Sequence, residues 1–426
     1  MSSLPTILEV RLHGRPIGSL TRLPGDTTAF HFSTDYAEDP QRSTLSLGFL
    51  DAYGRVRRAK ESSRSEVPAF FANLLPEGDL RRYVAHRAGI ANSDEFGLLW
   101  VTGDDLPGAA TVHDPLGRAL PPKSAGGPEI EPPAKELLRF SLAGVQLKFS
   151  AIDNAYGGLT IPAQGRDGHA IVKLPSRHLV GVPENEYAML RYAAAVGIEV
   201  PPIRLVALDR IEGLPDEASS LRGEALAIAR FDRGDNGTRV HTEDFNQIFR
   251  QKPSAKYDNY AFAHICGTVY RVMGNDALID FINRLVFNIA IANNDMHLKN
   301  WSVIYRDGRT PALAPAYDYV CTKAYLGHSE TGLALGSARD FSRVTIEQFE
   351  HMAERVQVSS RLVRATTLAM VERMRDEWPV KKAAVPERIA AVIDDQFRTV
   401  PLFSGSRQIS AEGPSTQRVT HHEEVS

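Results

Sequence analysis

Asp295 and Asn300 stand five residues apart in IANNDMHLKNWSVIY, between an apolar stretch of helical character (FINRLVFNIAIA) and a β-like run (WSVIY). A carboxylate and an amide on one loop suit phosphoryl transfer. That reaction needs one carboxylate to orient or deprotonate the attacking hydroxyl, and oxygen ligands for Mg²⁺, which neutralises charge developing on the phosphate oxygens. Loops rich in Asn and Asp also produce this spacing through turn and capping preference, so the pair alone leaves both readings open. A third oxygen ligand favours the chemical one. After Asn300, the strand WSVIY, the turn RDGR and the return segment TPALAPAYDYV predict a hairpin that carries Asp318 back beside Asn300. Asp318 then reads as a metal ligand, with a cap or turn residue after Pro315 and Ala316 as the plainer alternative.

The Asp–Asn spacing matches the HRDLxxxN catalytic loop of protein kinases, and the position of Asp318 matches their metal-binding Asp. ATP chemistry also needs a cation on the α/β-phosphates, usually a strand lysine held by a glutamate. Lys173 in HAIVKLP fits, in a β-branched run bounded by Gly168 and Pro175. The following segment, PENEYAMLRYAAAVG, predicts a helix opening at Pro183. On it Glu186 shares a face with Met189, Leu190 and Ala193, where a carboxylate is costly unless paired, and Lys173 is the natural partner. A surface Glu favoured by the helix dipole is the alternative. Upstream, FSLAGVQLKFSAIDNAYGGLTIP reads as strand, loop, strand, turn, strand. No GxxxxGK[ST] loop occurs anywhere, which argues against a Walker-type ATPase. Backbone amides of Ser141, Ala143, Gly144, Val145 and Gln146 could instead cradle phosphates.

These residues must be positioned by more than one core, because 426 residues exceed what a single core supports. Residues 7–50 carry short β-like stretches (ILEVRLHG, TAFHFS, TLSLGFL), and VPAFFANLLPEGDLRRYVAHRAGI reads as helix, turn, helix. An α+β domain over residues 1–118 is expected. Pro115, Pro121, Pro122, Pro128, Pro132 and Pro133, with Gly126 and Gly127, mark a linker over 119–137. The ATP-covering part is then expected over 138–232, a helical part with the catalytic and metal loops over 233–403, and a disordered tail over 404–426.

Composition narrows the function further. An apolar fraction of 43% and a charged fraction of 24% are ordinary for a soluble protein, and no apolar run reaches membrane-spanning length. The start, MSSLPTILEVRLHG, does not read as a signal peptide, so a cytoplasmic location is expected. A net charge of −3 gives no drive toward phosphate backbones. Cys266 and Cys321 are too few for a zinc site or a disulfide framework.

The ordered set FFANLLPEG (70–78), SLAGVQLK (141–148), VKLP (172–175), ENEY (184–187), ARFDR (229–233), NNDMHLKNWS (293–302) and APAYD (314–318) resembles the HipA family across nearly the whole chain. The resemblance implies an α+β, two-lobed protein-kinase-like fold with an N-terminal β-rich subdomain and a mostly helical C-terminal lobe. It also implies transfer of the ATP γ-phosphate to a protein serine or threonine. By motif, Asp295 would be the catalytic base, Asn300 and Asp318 the Mg²⁺ ligands, and Lys173 the phosphate-binding lysine. Arg230, Phe231 and Asp232 would lie at the hinge near adenine and ribose. Ser141 would be autophosphorylated, expelling the phosphate-binding loop. His297 is similar to the histidine of the DRHxxN loop in lipid-kinase relatives and either assists the nucleophile or supports the loop; Lys299 either contacts the transferred phosphate or holds the loop. Asn294 and Met296 depart from the Thr or Gly common in the family, and Ala229 from an acidic residue in some members. The family implies a small helix-turn-helix antitoxin (HipB-like) that binds operator DNA and carries the toxin with it. It also implies a protein substrate such as an aminoacyl-tRNA synthetase and, as outcome, growth arrest. Two rivals are a small-molecule or lipid kinase of the same fold and a pseudokinase binding module. Retention of Lys173, Asp295, Asn300 and Asp318 together argues against the second.

Overall fold

A computed structural model describes residues 5–25, 27–57, 61–64, 66–118, 148–154, 158–161, 168–176, 179–214, 218, 221–234 and 237–405. The first hairpin joins Ile7–Leu12 to Arg15–Leu23 through His13 and Gly14, both at positive φ (49° and 76°), the pair of conformations that matches strand twist. Thr27–Phe32 and Glu61–Arg64 extend one side of this antiparallel sheet, and Ala110–His113 closes the other. Leu8, Val10 and Leu12 alternate inward and meet Phe70, Phe71, Leu74 and Leu99 from the helical segment Ala69–Ala72, the turn that follows it and the helix Glu95–Thr102. The segment TLSLGFL is not the strand its sequence predicts. Ser46 caps a 3₁₀ turn at Leu47–Phe49 by accepting from Gly48 N (3.0 Å), while Leu45 and Phe49 fill the core. A local side-chain bond has replaced ladder pairing.

The second sheet has six strands in the order Ile211–Glu212, Leu159–Thr160, Lys148–Asp153, Ala170–Lys173, Glu224–Ala229, Ile203–Ala207. The helix Val182–Ala195 packs on its Glu224–Ala229 and Ile203–Ala207 strands. The helix starts where Gly181 takes φ +79° and Pro183 occupies the first turn. The third unit is mostly helical. Its main helices are Phe262–Met273, Asn275–Ala290, Ile346–Arg355, Ser360–Lys381 and Glu387–Thr399, around a core that includes Phe281, Leu285, Phe287, Val371 and Met374. It also carries a three-stranded sheet of His241–Asp244, Ser302–Tyr305 and Ala312–Leu313. The fold is α+β and two-lobed, kinase-like, with the β-rich subdomain appended.

The expected linker and almost all of the expected tail lie outside the described residues. Among the described residues the final helix runs Pro401–Ser404 and buries Leu402 and Phe403, so Ser404, expected in the tail, is helical. Both cysteines are free and buried. Among the described residues no helix is long and apolar enough to cross a membrane.

The N-terminal subdomain is joined to the rest through buried polar contacts. Leu47 N donates to Glu243 Oε1 (2.9 Å), Tyr305 Oη donates to the same oxygen, and His241 Nε2 reaches the Leu45 carbonyl (2.7 Å). Burial pushes the Glu243 carboxyl up to about 7. Below about pH 4.5 it is protonated in both folded and unfolded chains. As pH rises toward about 7 the unfolded chain ionises first, and stability from this group is lost, by up to ~3 kcal/mol. Glu243→Gln lacks that slope. Urea unfolding at pH 5 and pH 8 should therefore move the stability difference in the variant's favour by about 2–3 kcal/mol at the higher pH; an equal difference at both would refute the assignment.

Candidate active site

Lys173 ends its strand with the ammonium turned into the cleft between lobes. Its Nζ donates to Glu186 Oε1 (2.6 Å) and Oε2 (2.8 Å) and to the Asp318 carboxylate. Glu186 is fully buried on its helix beside Met189, Leu190 and Ala193, so the paired reading of this carboxylate holds and the exposed one does not. Burial works against the ammonium, but Asp318 and Glu186 outweigh it and hold Lys173 protonated well above the usual lysine range. Burial likewise opposes ionisation of Asp318, and Lys173 with Lys148 overcomes it, holding the carboxyl at about 2. Asp318 is therefore an anion at any physiological pH. In the register of the sheet Lys148 lies directly opposite Lys173, on the same face.

The hairpin brings Asp318 to this place. Ser302–Tyr305 pairs with Ala312–Leu313, and Arg284, held by Asp280 (2.8 and 2.6 Å), donates to the Ala314 carbonyl (2.5 Å). Asp318 then takes φ +60°, a left-handed conformation that Asp tolerates better than most residues. Asn293 Nδ2 reaches the Asp318 carbonyl (3.4 Å) and ties the two loops together.

The catalytic-type loop follows the helix Asn275–Ala290 through Ala292, also left-handed at φ +53°. Asn293 donates to Asn288 Oδ1 (2.8 Å) and accepts from Asp295 N (3.0 Å). Asn300 Nδ2 donates to the Asp295 carbonyl (2.7 Å), which aims its amide oxygen elsewhere. Gly332 lies so close that a Cβ there would sit 2.8 Å from Met296 backbone. The Asp295 carboxylate accepts from the Tyr257 hydroxyl and lies 3.5 Å from His297 Nε2. His297 is buried with neither ring nitrogen hydrogen-bonded to protein, and the Tyr257 ring packs edge-on against it. Burial, aided by the nearby Lys256 ammonium, drives its pKa far below the usual histidine range, so the imidazole is neutral.

Mg²⁺ keeps several waters and takes one or two protein oxygens plus phosphate, so Asn300 and the ionised Asp318 are a suitable donor set. Among the described residues no cluster of three or more His, Cys, Asp or Glu could hold a metal by protein ligands alone.

Lys173, Glu186, Asp295, His297, Asn300 and Asp318 thus converge on one cleft. Phe231 lies near it, its ring 5.8 Å from that of Tyr317. The Arg230 and Asp232 side chains face the N-terminal subdomain. Arg230 pairs with Asp105 (3.1 Å) and Asp232 (2.8 Å), and Asp232 accepts from Gly108 N (2.8 Å). Ser141, Ala143, Gly144, Val145 and Gln146 lie outside the described residues. Lys299 points from the loop toward the subdomain, pairing with Glu77 (2.7 Å). Glu77, Lys256 and Tyr257 carry no periodic or motif signal that would assign them a role; FFANLLPEG suggests only that its stretch is used.

Residues 140–378 match the HipA-like C-terminal domain, and residues 8–113 match the HipA N-terminal domain. A Sinorhizobium fredii protein named "Putative kinase Y4dM" is 46% identical over 405 residues, covering 93% of this chain and 98% of its own. A second from that organism, "Putative kinase Y4mE", is 27% identical, covering 95% of each. Among solved structures, the HipA, HipB and operator DNA complex of Shewanella oneidensis superposes with a TM-score of 0.70 at 21% identity, over 94% of this chain and 97% of that one. With both domain types matched in order, and a relative this similar from end to end, the chain belongs to the HipA family.

Proposed function

We propose that the chain is an ATP- and Mg²⁺-dependent kinase that phosphorylates serine or threonine in a protein and acts as the toxin of a toxin–antitoxin pair. The observation that carries the reading is the buried Lys173–Glu186 pair touching Asp318, next to a loop that presents Asp295 and Asn300. Phosphoryl transfer depends on positioning and charge neutralisation, and each of these groups supplies one part.

In this reading Asp295 orients the acceptor hydroxyl and takes its proton, exchanging the Tyr257 hydroxyl for that of the substrate. Lys173 holds the α/β-phosphates, with Glu186 fixing its ammonium. Asn300 and Asp318 would hold Mg²⁺, which neutralises charge on the phosphate oxygens when bound. His297, being neutral, shapes and supports the loop without adding a positive charge beside Asp295. Lys299, its ammonium paired with Glu77, holds the loop and places a positive charge beside it. The segment containing Ser141, Ala143, Gly144, Val145 and Gln146 covers the phosphates, and the backbone at Arg230, Phe231 and Asp232 lines the nucleotide. The partner is a HipB-like helix-turn-helix antitoxin, with operator DNA reached only through it, as both are present with the Shewanella HipA. The reaction would take place in the cytoplasm.

The test is direct. Purified chain incubated with [γ-³²P]ATP and Mg²⁺ should label itself at Ser141, and the labelled protein should lose ATP affinity, because a phosphoserine adds roughly −1.5 to −2 charge beside the nucleotide phosphates. Phosphopeptide mapping that finds Ser141 unlabelled, or a Ser141→Ala variant that still inactivates on preincubation with ATP, would remove the self-silencing part of the reading. Absence of any transfer to itself or to protein acceptors would remove the rest.

A further inference from the structure

The Lys299 side chain, on the Asp295–Asn300 loop, is held by the N-terminal subdomain in two places. Its Nζ lies 2.7 Å from Glu77 Oε1 and donates to the Asn73 carbonyl (3.2 Å). Glu77 Oε2 takes the Lys256 ammonium as well (3.2 Å), and the Lys256 carbonyl accepts from Leu298 N (3.1 Å), inside the loop itself. Burial acts against the Glu77 anion, but Lys299 and Lys256 outweigh it, and the carboxyl sits far below the ordinary glutamate range. Asn73 is anchored in turn. It donates to the Ala69 and Gln251 carbonyls (2.8 Å each) and accepts from Asn246 Nδ2 (2.8 Å). At the other end of the residue, the Lys299 carbonyl accepts from Tyr317 Oη (2.7 Å), next to Asp318.

We infer that Glu77 is a positioning residue by which the N-terminal subdomain fixes the Lys299 ammonium beside the catalytic loop, so that the subdomain completes the active site. The inference rests on the kinase reading above. A lysine stem left without a partner samples many rotamers. Released from Glu77, its ammonium would be free to swing to the Asp295 carboxylate and compete with the acceptor hydroxyl for it. Glu77 holds the charge close to the loop while leaving the acceptor side of Asp295 clear.

Two measurements on the full chain test this together. In the first, amine acetylation is followed residue by residue by mass spectrometry without nucleotide. Lys299 should react several-fold faster in Glu77→Gln than in the wild type, and Glu77→Asp should fall between. In the second, steady-state transfer should lose about tenfold in kcat with KM for ATP within twofold, since misplacing one group costs rate more than binding. In a Lys299→Ala background, Glu77→Gln should cost nothing more. Glu66→Gln, which breaks the Glu66–Lys252 pair (2.5 Å) between the same two parts of the chain, should change neither reading. Unchanged Lys299 reactivity in Glu77→Gln, an equal loss of kcat in the Lys299→Ala background, or the same effects from Glu66→Gln would each overturn the inference. A wild-type chain that transfers no phosphate would instead overturn the kinase reading, and the reactivity comparison would then decide the hold of Glu77 on Lys299 by itself.

Discussion

Asp295→Asn should lower phosphoryl transfer by roughly 10³-fold, the scale of a lost general base, while the thermal midpoint moves by no more than a few degrees. The substitution keeps the shape of the side chain. Asn still offers an oxygen to the Tyr257 hydroxyl, and the backbone bonds that build the loop, from Asp295 N to Asn293 and from Asn300 to the Asp295 carbonyl, do not involve the carboxylate. What disappears is the negative charge and the capacity to take a proton. Steady-state transfer to a protein acceptor, measured alongside thermal unfolding, separates the two. A folded Asp295→Asn chain that retained a tenth or more of wild-type kcat would remove Asp295 as the base, and with it the assignment of the whole loop. Growth arrest on expression should vanish in parallel.

How far such a site could be read from sequence depended on whether its geometry is local. The Asp295–Asn300 spacing is set within six residues, and the return of Asp318 needs only a hairpin, so both were legible. Lys173 and Glu186 were legible because one closes a β-branched strand and the other interrupts an apolar helix face, where an unpaired carboxylate would be too costly. The misread strand at TLSLGFL failed because capping by Ser46 is a one-residue event that alternation does not register. The strand Arg15–Leu23 gave little signal because Pro16 and Gly18 break its pattern. Gly18 is there because a Cβ would lie 2.2 Å from the His31 carbonyl. The long-range contacts were out of reach. Glu77 meets Lys299 across 222 positions of chain, and Tyr257 meets Asp295 from a polar turn without periodicity. Arg230 and Asp232 were expected at the nucleotide from motif order alone, and nothing in ARFDR announces that Asp105 and Gly108 would take up their side chains.

Lys173→Met should show how tightly stability and function are bound together in this cleft. The ammonium is the counter-ion of Glu186, which is fully buried, and of Asp318. Removing one partner of a buried pair leaves the other charge uncompensated, at a cost of about 3–5 kcal/mol. The single variant should therefore unfold at markedly lower urea and bind ATP at least ten times more weakly by calorimetric titration, because the point charge on the phosphates is gone. The weaker binding alone would be ambiguous, since a loosened lobe also binds poorly. Adding Glu186→Gln resolves it. With the buried carboxylate neutralised, Lys173→Met/Glu186→Gln should recover most of the lost stability and none of the ATP affinity. If the double variant regained wild-type affinity together with its stability, Lys173 would be a structural ion-pair partner and the phosphate-binding cation would have to be sought elsewhere, first at Lys148 on the opposing strand.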